Sequence, residues 1–322
     1  MRAPVFWRDK GLLSATLLPA ALLYNAVARV RSAAVTPAKL PVRVVCIGNL
    51  VAGGAGKTPV ALTLGMLLKK RGIRAHYLSR GYKSDNIGVT KVDITQHSAR
   101  DVGDEPLLLA EVLPTWVSKD RVAGTEAAIK AGAEIVIMDD GFQNPRLHKD
   151  VSLLVVDGHY GFGNERVIPA GPLREPIEAA MERASAVIMV GDDKQGVTRY
   201  VPPQVPVLQS QVKPVSSAEF LRGKQVVAFC GIARPRKFYR TLQELGCIVV
   251  HHVSYADHYA FTPGDLEFLR AKAKETASVL VTTEKDYVRL PDDMRVEVTV
   301  VPIEVAFDDN ESLLKVVLED AA

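Results

Sequence analysis

Apolar residues fall into two patterns that alternate along the chain, short continuous runs and helix-spaced positions. The β-branched runs typical of buried parallel strands lie at residues 42–47, 75–78, 115–118, 134–138, 151–156 and 186–190. Segments with helical composition lie between them, at residues 58–71, 105–113, 121–131 and 175–183. This alternation predicts an α/β domain with a mostly parallel sheet and right-handed crossovers.

A proline-rich stretch at residues 201–206 interrupts this alternation and looks like a domain connector. A second, shorter alternation follows, with strands at 226–229, 248–253 and 279–282 and helices at 236–245 and 264–275. The chain closes with a strand-like run at 296–301 and a helix around 311–318. The predicted parts are an N-terminal segment 1–34, a larger α/β domain 35–205 completed by 303–322, and a smaller α/β domain 206–302.

The composition fits a globular protein of two domains. With 322 residues, of which 48% are hydrophobic, the chain can build two cores. Lys and Arg number 40 against 37 acidic residues, and the net charge of +3 argues against a nucleic-acid partner. Cys46, Cys230 and Cys247 lie in apolar contexts without CxxC spacing, which indicates reduced core thiols instead of disulfides or metal ligands.

Residues 49–58 read Asn-Leu-Val-Ala-Gly-Gly-Ala-Gly-Lys-Thr and lie between a predicted strand and a predicted helix. Glycines there let backbone N–H groups close around phosphate oxygens, and the helix N-terminus adds a favourable dipole. Lys57 can reach the β- and γ-phosphates, and the Thr58 hydroxyl can hold Mg²⁺. The residues expected to bind ATP are Ala52, Gly53, Gly54, Ala55, Gly56, Lys57 and Thr58. Although Val51 replaces the first glycine of the strict motif, the segment predicts a P-loop NTPase-like domain.

Two acidic pairs and one histidine are further candidates for chemistry. Asp139 and Asp140 end a predicted strand, where a P-loop sheet places its metal-side acid, although a plain turn also explains them. Asp104 and Glu105 precede a predicted helix, a place that ordinary N-terminal caps also account for. His258 follows a predicted strand of the smaller domain, where a histidine is more often a turn residue than a catalyst.

The N-terminal segment has an uncharged stretch at residues 11–28 with basic residues on both sides. These basic residues are Arg2, Arg8, Lys10, Arg29 and Arg31. A secretory signal has a similar pattern, but export would leave an ATP-binding domain without ATP. A spanning helix is weakened by Pro19 and Asn25 at a length near the minimum. We expect an interfacial helix, with a helix packed on the core as the other open alternative.

Seven short motifs occur in order along the chain. They are residues 49–58, Ser-Arg-Gly-Tyr at 79–82, Gly-Asp-Glu-Pro at 103–106, Asp-Asp-Gly-Phe-Gln at 139–143, Leu-Arg-Glu-Pro at 173–176, Asp-His-Tyr at 257–259 and Thr-Glu-Lys-Asp at 283–286. This order resembles the lipid A tetraacyldisaccharide 4'-kinase family over most of the chain, and that family also lacks the first glycine of the loop. Two departures are Asn144, where the family more often has His, and Arg234, where a small polar residue is usual.

The resemblance implies an enzyme that transfers the γ-phosphoryl group of ATP to the 4'-hydroxyl of a tetraacylated, 1-phosphorylated glucosamine disaccharide, giving lipid IVA. It places this enzyme at the cytoplasmic face of the inner membrane, as a monomer with a glycolipid substrate and a membrane surface as partners. It also implies that Asp104 is the base for the sugar hydroxyl and that His258 pairs with it across the domain cleft.

The loop motif, the end of the strand at residues 134–138 and the resemblance together give the remaining candidate site residues. The candidate ligands for Mg²⁺ are Thr58, Asp139, Asp140 and Glu105. The candidates for contact with the substrate or a lipid phosphate are Arg80, Tyr82 and Arg174. A regulatory GTPase is a poor alternative because the chain has no Asn-Lys-x-Asp guanine motif. A membrane-anchored P-loop ATPase or nucleotide-switched binding protein remains the alternative, although it has no need of Asp104 and His258.

Overall fold

Two sheets with helices on their faces organise the chain. The computed structural model describes residues 4–82, 84–85 and 88–319, so Arg2 of the basic N-terminal group lies outside the described residues. The strands are β1 (Arg43–Gly48), β2 (Ala75–Ser79), β3 (Thr90–Lys91), β4 (Thr115–Val117), β5 (Ile135–Asp139), β6 (Val151–Asp157), β7 (Ala186–Val190), β8 (Val207–Pro214), β9 (Gln225–Cys230), β10 (Ile248–Ser254), β11 (Val279–Thr283), β12 (Thr299–Val301) and β13 (Ile303–Phe307).

The helices occupy the connections between the strands. They are α1 (Leu12–Thr16), α2 (Leu18–Ala33), α3 (Lys57–Lys70), α4 (Ala99–Val102), α5 (Asp104–Ala110), α6 (Arg121–Lys130), α7 (Ile177–Met181), α8 (Pro235–Glu244), α9 (Pro263–Glu275), α10 (Glu284–Tyr287), α11 (Asp292–Arg295) and α12 (Asn310–Leu318).

The larger sheet has the order β13-β8-β7-β6-β1-β5-β2-β4-β3 and is parallel except at its two ends, where β13 pairs with β8 and β3 with β4 in antiparallel fashion. Alternate residues of β1 enter two different cores: Val45 and Ile47 pack with α3, and Val44 and Cys46 pack on the opposite face. The smaller sheet, β10-β9-β11-β12, is parallel throughout. The predicted α/β fold with a P-loop-type sheet and a smaller second unit is therefore confirmed.

Three strands of the larger sheet were not predicted from the sequence: the two-residue β3, and the longer β8 and β13. β8 and β13 alternate buried with exposed residues, so neither shows the continuous apolar run of a central parallel strand. β8 lies beyond the proline-rich stretch and still pairs with β7. The larger sheet thus extends past the expected boundary at residue 205, and the chain crosses to the smaller sheet only after Pro214.

The N-terminal segment forms two short helices instead of one long one. α1 ends at Thr16 and α2 begins at Leu18, one residue before Pro19, which is well tolerated in a first helical turn. Ser14 is the buried residue of α1 and Ala21 that of α2, so the two helices have little contact with the core. Across the described residues, no helix combines the length and apolar character that crossing a bilayer requires.

The loop between β6 and α7 holds both the N-terminal segment and the phosphate loop. The buried Asn164 side chain donates to the Ser14 hydroxyl at 2.9 Å. The same loop accepts the indole N–H of Trp7 at the Pro169 carbonyl (3.1 Å) and the backbone N–H of Ala52 at the Pro172 carbonyl (2.8 Å). The apolar helices are therefore fixed to the segment that supports the candidate phosphate site.

The helix after the phosphate loop approaches β2 closely at Gly65. A Cβ at this position would lie 1.9 Å from the Tyr77 hydroxyl oxygen and 2.8 Å from Leu113 Cδ1. That hydroxyl donates to the Ala61 carbonyl at 2.8 Å, and the Tyr77 ring is fully buried, so neither can move away cheaply. Glycine at position 65 therefore sets how closely α3 packs on the sheet.

Gly65→Ala should lower stability by about 1–3 kcal/mol, the usual cost of overpacking a core. The matched control is Gly264→Ala, also in a helix, where the nearest atom to the new Cβ is Thr262 Oγ1 at 4.0 Å. That variant should be neutral or up to about 1 kcal/mol more stable, because alanine restricts the unfolded chain. Urea unfolding of both variants measures the difference. Equal midpoints for Gly65→Ala and the parent would contradict the packing argument.

Candidate functional site

The loop between β1 and α3 has the shape that an anion site at a helix N-terminus requires. Gly53 has φ +128° and Gly56 has φ +96°, both in the region that favours glycine. α3 begins directly after Gly56, at Lys57, so the free N–H groups of its first turn face the loop. Ala55 and Thr58 are buried against the sheet, whereas Gly53 and Gly54 are exposed.

Asn49 begins the predicted phosphate-loop segment, but its residue type alone suggests no role for it. Its fully buried side chain donates to the carbonyls of Val51 (2.7 Å) and Gly53 (3.3 Å). Its carbonyl oxygen accepts a hydrogen bond from Lys57 Nζ at 3.1 Å. One amide thus fixes both the curve of the loop and the direction of the lysine. A polar residue directly after a buried strand was the available signal.

The two aspartates after the apolar run of β5 differ sharply. β5 pairs with β1, and Asp139 stands opposite Ile47 in the register, so both aspartates lie beside the phosphate loop. Asp139 Oδ1 is buried and has no hydrogen-bond partner among the described residues. Burial, helped by the negative charge of Glu105, raises the pKa of Asp139 to about 7.

Asp140 is instead held by two cations. Its Oδ1 lies 3.5 Å from Lys57 Nζ and accepts a hydrogen bond from Arg174 at 2.8 Å. Burial opposes ionisation of Asp140, but the charges of Lys57 and Arg174 outweigh it and lower its pKa. Of the two carboxylates, Asp139 therefore has the free oxygen that a hard divalent cation needs.

Asp104 and His258 meet across the two units. Asp104 is the first residue of α5, after Gly103 with φ +95°, and is only 2% exposed. His258 follows β10 in a left-handed conformation, φ +56°, and its Nδ1 lies 3.0 Å from Asp104 Oδ2. Sequence reasoning from the residues alone could not pair two residues that are 154 positions apart.

Cations of the smaller unit surround this pair. Lys285 donates to Glu105 at 2.6 Å, and Arg289 Nε lies 3.5 Å from Asp104 Oδ2. Burial alone would raise the pKa of Asp104, but the His258 hydrogen bond and the charges of Lys285 and Arg289 lower it to about 2. Asp104 is therefore a carboxylate at neutral pH.

The structure brings several of the predicted residues to this one edge of the sheet. Ligand atoms of Asp104, Glu105 and His258 all lie within 4.8 Å of one another. The Glu105 charge acts on Asp139, which links the Asp104–His258 pair to the acid beside the phosphate loop.

The three substrate candidates occupy different positions. The Tyr82 ring lies 5.4 Å from the His258 ring, between centroids, and is 56% exposed, so it faces the pair from the solvent side. Arg174 holds Asp140 by two hydrogen bonds, at 2.8 and 3.3 Å. Arg80 is exposed just beyond β2, and its charge contributes to lowering the pKa of the buried Arg121.

A second contact joins the two units on the other side of the phosphate loop. Asp157, which ends β6 and is 4% exposed, forms ion pairs with Arg234 and Lys237 of the smaller unit, the latter at 2.5 Å. Arg234 also lies over the Tyr160 ring, 4.1 Å from its centroid. The neighbouring Ala233 would lie 3.7 Å from a Cβ placed on Gly54, so this contact borders the phosphate loop.

Comparisons with known proteins agree over nearly the whole chain. The family model described as tetraacyldisaccharide-1-P 4'-kinase matches residues 13–322. A tetraacyldisaccharide 4'-kinase of Rhodospirillum rubrum is 50% identical over 313 residues, which cover 96% of this chain and 95% of the relative. The corresponding protein of Rhodospirillum centenum is 47% identical over 319 residues, 97% and 95% of the two chains.

A solved structure is similar as well. The crystal structure of LpxK from Aquifex aeolicus in complex with ATP matches with a TM-score of 0.76 and 30% identity, over 95% of this chain and 98% of that one. The resemblance drawn from the seven motifs is thus confirmed, and the chain belongs to the tetraacyldisaccharide-1-P 4'-kinase family.

Proposed function

We propose that this protein transfers the γ-phosphoryl group of ATP to the 4'-hydroxyl of a tetraacylated glucosamine disaccharide 1-phosphate, giving lipid IVA in lipid A biosynthesis. Membership of the family supports the substrate and the reaction. The observation that carries the chemistry is the buried hydrogen bond between Asp104 and His258 at the edge of the sheet that holds the phosphate loop. A nucleotide switch or a simple ATPase has no need of such a pair.

The phosphate loop binds and orients the nucleotide. Residues 52–58 surround the phosphates with backbone N–H groups, and Lys57 neutralises charge on the β- and γ-phosphates. Arriving nucleotide competes with Asn49 and Asp140 for the Lys57 ammonium, because both hold it in this structure.

The donor set beside the loop fits Mg²⁺. Asp139 supplies a buried, unpartnered carboxylate oxygen, and Thr58 supplies a hydroxyl at the start of α3. Bound there, Mg²⁺ neutralises charge on phosphate oxygens. Glu105 is the next carboxylate toward the Asp104–His258 pair, and Asp140 orients Lys57 and Arg174 instead of serving as a ligand.

Asp104 orients the acceptor hydroxyl and receives its proton. A carboxylate with a pKa of about 2 is a weak base, but phosphoryl transfer passes through a loose transition state and depends mainly on positioning and charge neutralisation. His258 fixes the direction of the Asp104 oxygens through its 3.0 Å hydrogen bond. Tyr82, beside His258 and half exposed, lies where a sugar ring can pack. The exposed Arg80 can contact phosphate oxygens directly, and Arg174 can do so if it exchanges a bond to Asp140.

The N-terminal helices support docking on the inner membrane from the cytoplasmic face. α1 and α2 expose a group of large apolar side chains, namely Leu12, Leu13, Leu18, Leu22, Leu23, Tyr24, Val27 and Val30. So many large exposed apolar side chains on two successive helices are unusual on a soluble surface and are expected of helices that lie in a membrane interface. Arg29 and Arg31 at its end suit anionic headgroups.

The enzyme assay with Lys57→Ala tests the proposed function. Purified protein, ATP, Mg²⁺ and the disaccharide 1-phosphate in detergent micelles should give the 4'-phosphorylated product. Lys57→Ala should reduce turnover by about 10³-fold while its unfolding transition stays near that of the parent, because the lysine neutralises charge in the transition state. No product from the parent would reject the kinase assignment, and full turnover in the variant would reject the role of the loop.

The Asp104–His258 pair should behave as one unit. Asp104→Ala and His258→Ala should each lose most lipid kinase activity, and the double variant should lose little more than the worse single variant. Turnover measured for the four proteins of the cycle gives the coupling. Losses that multiply in the double variant would show two residues acting independently.

Membrane docking can be tested without disturbing the core. Leu22 and Leu23 are 69% and 67% exposed, and changing both to Glu should reduce binding to anionic vesicles by at least about tenfold, since each buried leucine contributes ~1.5–3 kcal/mol. Val296→Glu, at a position 84% exposed in the smaller unit, is the control and should bind normally.

High salt separates the apolar from the charged contribution to binding. It should release the parent only partly, because screening weakens the basic residues and leaves apolar insertion intact. Complete release by salt, or unchanged binding of the double Glu variant, would overturn interfacial docking.

A further inference from the structure

The segment that carries Lys285 also carries Arg289, which lies beside the Asp104–His258 pair. Arg289 follows α10 by two residues, and its side chain is only 8% exposed. Its guanidinium donates to the Tyr259 carbonyl at 3.2 Å, to the Gly231 carbonyl at 3.1 Å and to Asp286 Oδ1 at 2.9 Å. Its Nε donates to the Lys285 carbonyl at 2.9 Å, so the fork is fixed in one orientation.

Two of these carbonyls control the backbone around His258. Tyr259 is the next residue along the chain, and the Gly231 carbonyl that Arg289 contacts also accepts the backbone N–H of His258 at 3.0 Å. His258 itself has φ +56°, a conformation that persists only when its surroundings enforce it. Arg289 therefore binds the chain directly beside the strained residue and at the carbonyl that anchors it.

Asp286 supports the same turn. It is fully buried, accepts the backbone N–H of Gly231 at 2.7 Å and pairs with Arg289. A Cβ at Gly231 would lie 2.9 Å from the Ala256 carbonyl and 3.2 Å from Asp286 Oδ1, so only glycine permits the approach. Arg289, Asp286 and Gly231 are therefore all hydrogen-bonded to one another next to the His258 turn.

The guanidinium also approaches Asp104 across the cleft. Nε lies 3.5 Å from Asp104 Oδ2, the oxygen that faces His258 Nδ1. At that distance the charge acts on Asp104, while the donors of the guanidinium are occupied by the smaller unit. Arg289 thus acts electrostatically on Asp104 and hydrogen-bonds to the carbonyls of Tyr259, which follows His258, and Gly231, which accepts the His258 N–H.

We propose that Arg289 is a positioning residue for the reaction, which holds the His258 turn so that the imidazole stays within hydrogen-bond distance of Asp104. The expected effect on kcat rests on the proposed function, whereas the expected effect on the position of the His258 ring rests on the geometry alone. The planar fork of the Arg289 guanidinium is the essential property, because a lysine ammonium is a point charge and cannot reach two carbonyls and a carboxylate with fixed geometry.

Arg289→Met, Arg289→Lys and the control Arg295→Met distinguish positioning from a general role of arginine in this region. Arg295 also donates to backbone carbonyls nearby, those of Tyr287 and Val288, but has no contact with the pair among the described residues. Arg289→Met should lower kcat by about 100-fold with a KM for ATP near the parent value, because small misplacement of a catalytic group costs about that much. Arg295→Met should keep parental kcat.

The lysine variant separates geometry from charge. The kcat of Arg289→Lys should stay within a few-fold of the kcat of Arg289→Met, because lysine keeps the charge and loses the planar fork. Recovery of parental kcat by lysine would overturn the inference in favour of a purely electrostatic role. In the His258→Ala background, Arg289→Met should lower kcat little further. A full 100-fold further loss of kcat there would also overturn the inference.

A measurement without turnover keeps this inference distinct from the kinase assignment. The ¹H–¹³C ring signals of His258, assigned by their loss in His258→Ala, should shift in Arg289→Met and Arg289→Lys and stay in place in Arg295→Met. Unchanged ring signals in both Arg289 variants would overturn the positioning role even if the parent is an active kinase. If the parent lacks kinase activity but the His258 signals still shift in both Arg289 variants, the proposed function is rejected and the positioning of His258 by Arg289 stands.

Discussion

The hydrogen bond between Asp104 and His258 is the constraint on which the candidate site depends. Asp104 is almost fully buried, and an isolated carboxylate in that position would be strongly destabilised. Its charge is tolerated because the second unit supplies His258, Lys285 and Arg289. Removing one partner of such a buried arrangement typically costs about 3–5 kcal/mol. The larger unit therefore has an incomplete site until the smaller one is docked against it.

The same balance of charge extends along the edge of the larger sheet. Asp140 is compensated by Lys57 and Arg174, and Glu105 by Lys285, whereas one oxygen of Asp139 has no hydrogen-bond partner in the part of the chain that the structure describes. A carboxylate that is left uncompensated among well-paired neighbours is the natural place for a cation that arrives with the nucleotide. The contrast between the two adjacent aspartates lies in their partners: Asp140 contacts Lys57 and Arg174, whereas burial dominates at Asp139.

Much of this arrangement could be predicted from the sequence. The run from β1 through α3 was predicted with nearly correct bounds, because a buried parallel strand, a glycine-rich turn and a helix are each determined by local residues. The alternation of strands and helices likewise gave the correct fold class. β8 and β13 were not found because a strand with one exposed face lacks the continuous apolar run of a central parallel strand.

The site was predictable to a smaller extent. The pairing of Asp104 with His258 came from family resemblance, since no local pattern links residues so distant in the chain. Asn49 and Arg289 lay in or beside recognised motifs, yet their roles depend on which carbonyl groups they reach. The contacts of Arg289 arise from tertiary packing and those of Asn49 from the conformation of its own loop, and residue type alone reveals neither.

The contact at Asp157 has a mechanical consequence. The smaller unit touches the larger one there through Arg234 and Lys237, and at Asp104 and Glu105 through Arg289 and Lys285, with the phosphate loop between the two attachments. Moving the smaller unit straight away from the phosphate loop must therefore break both sets of ion pairs at once. The attachment at Asp157 has two cations on one carboxylate, so one ion pair there can break while the other still holds.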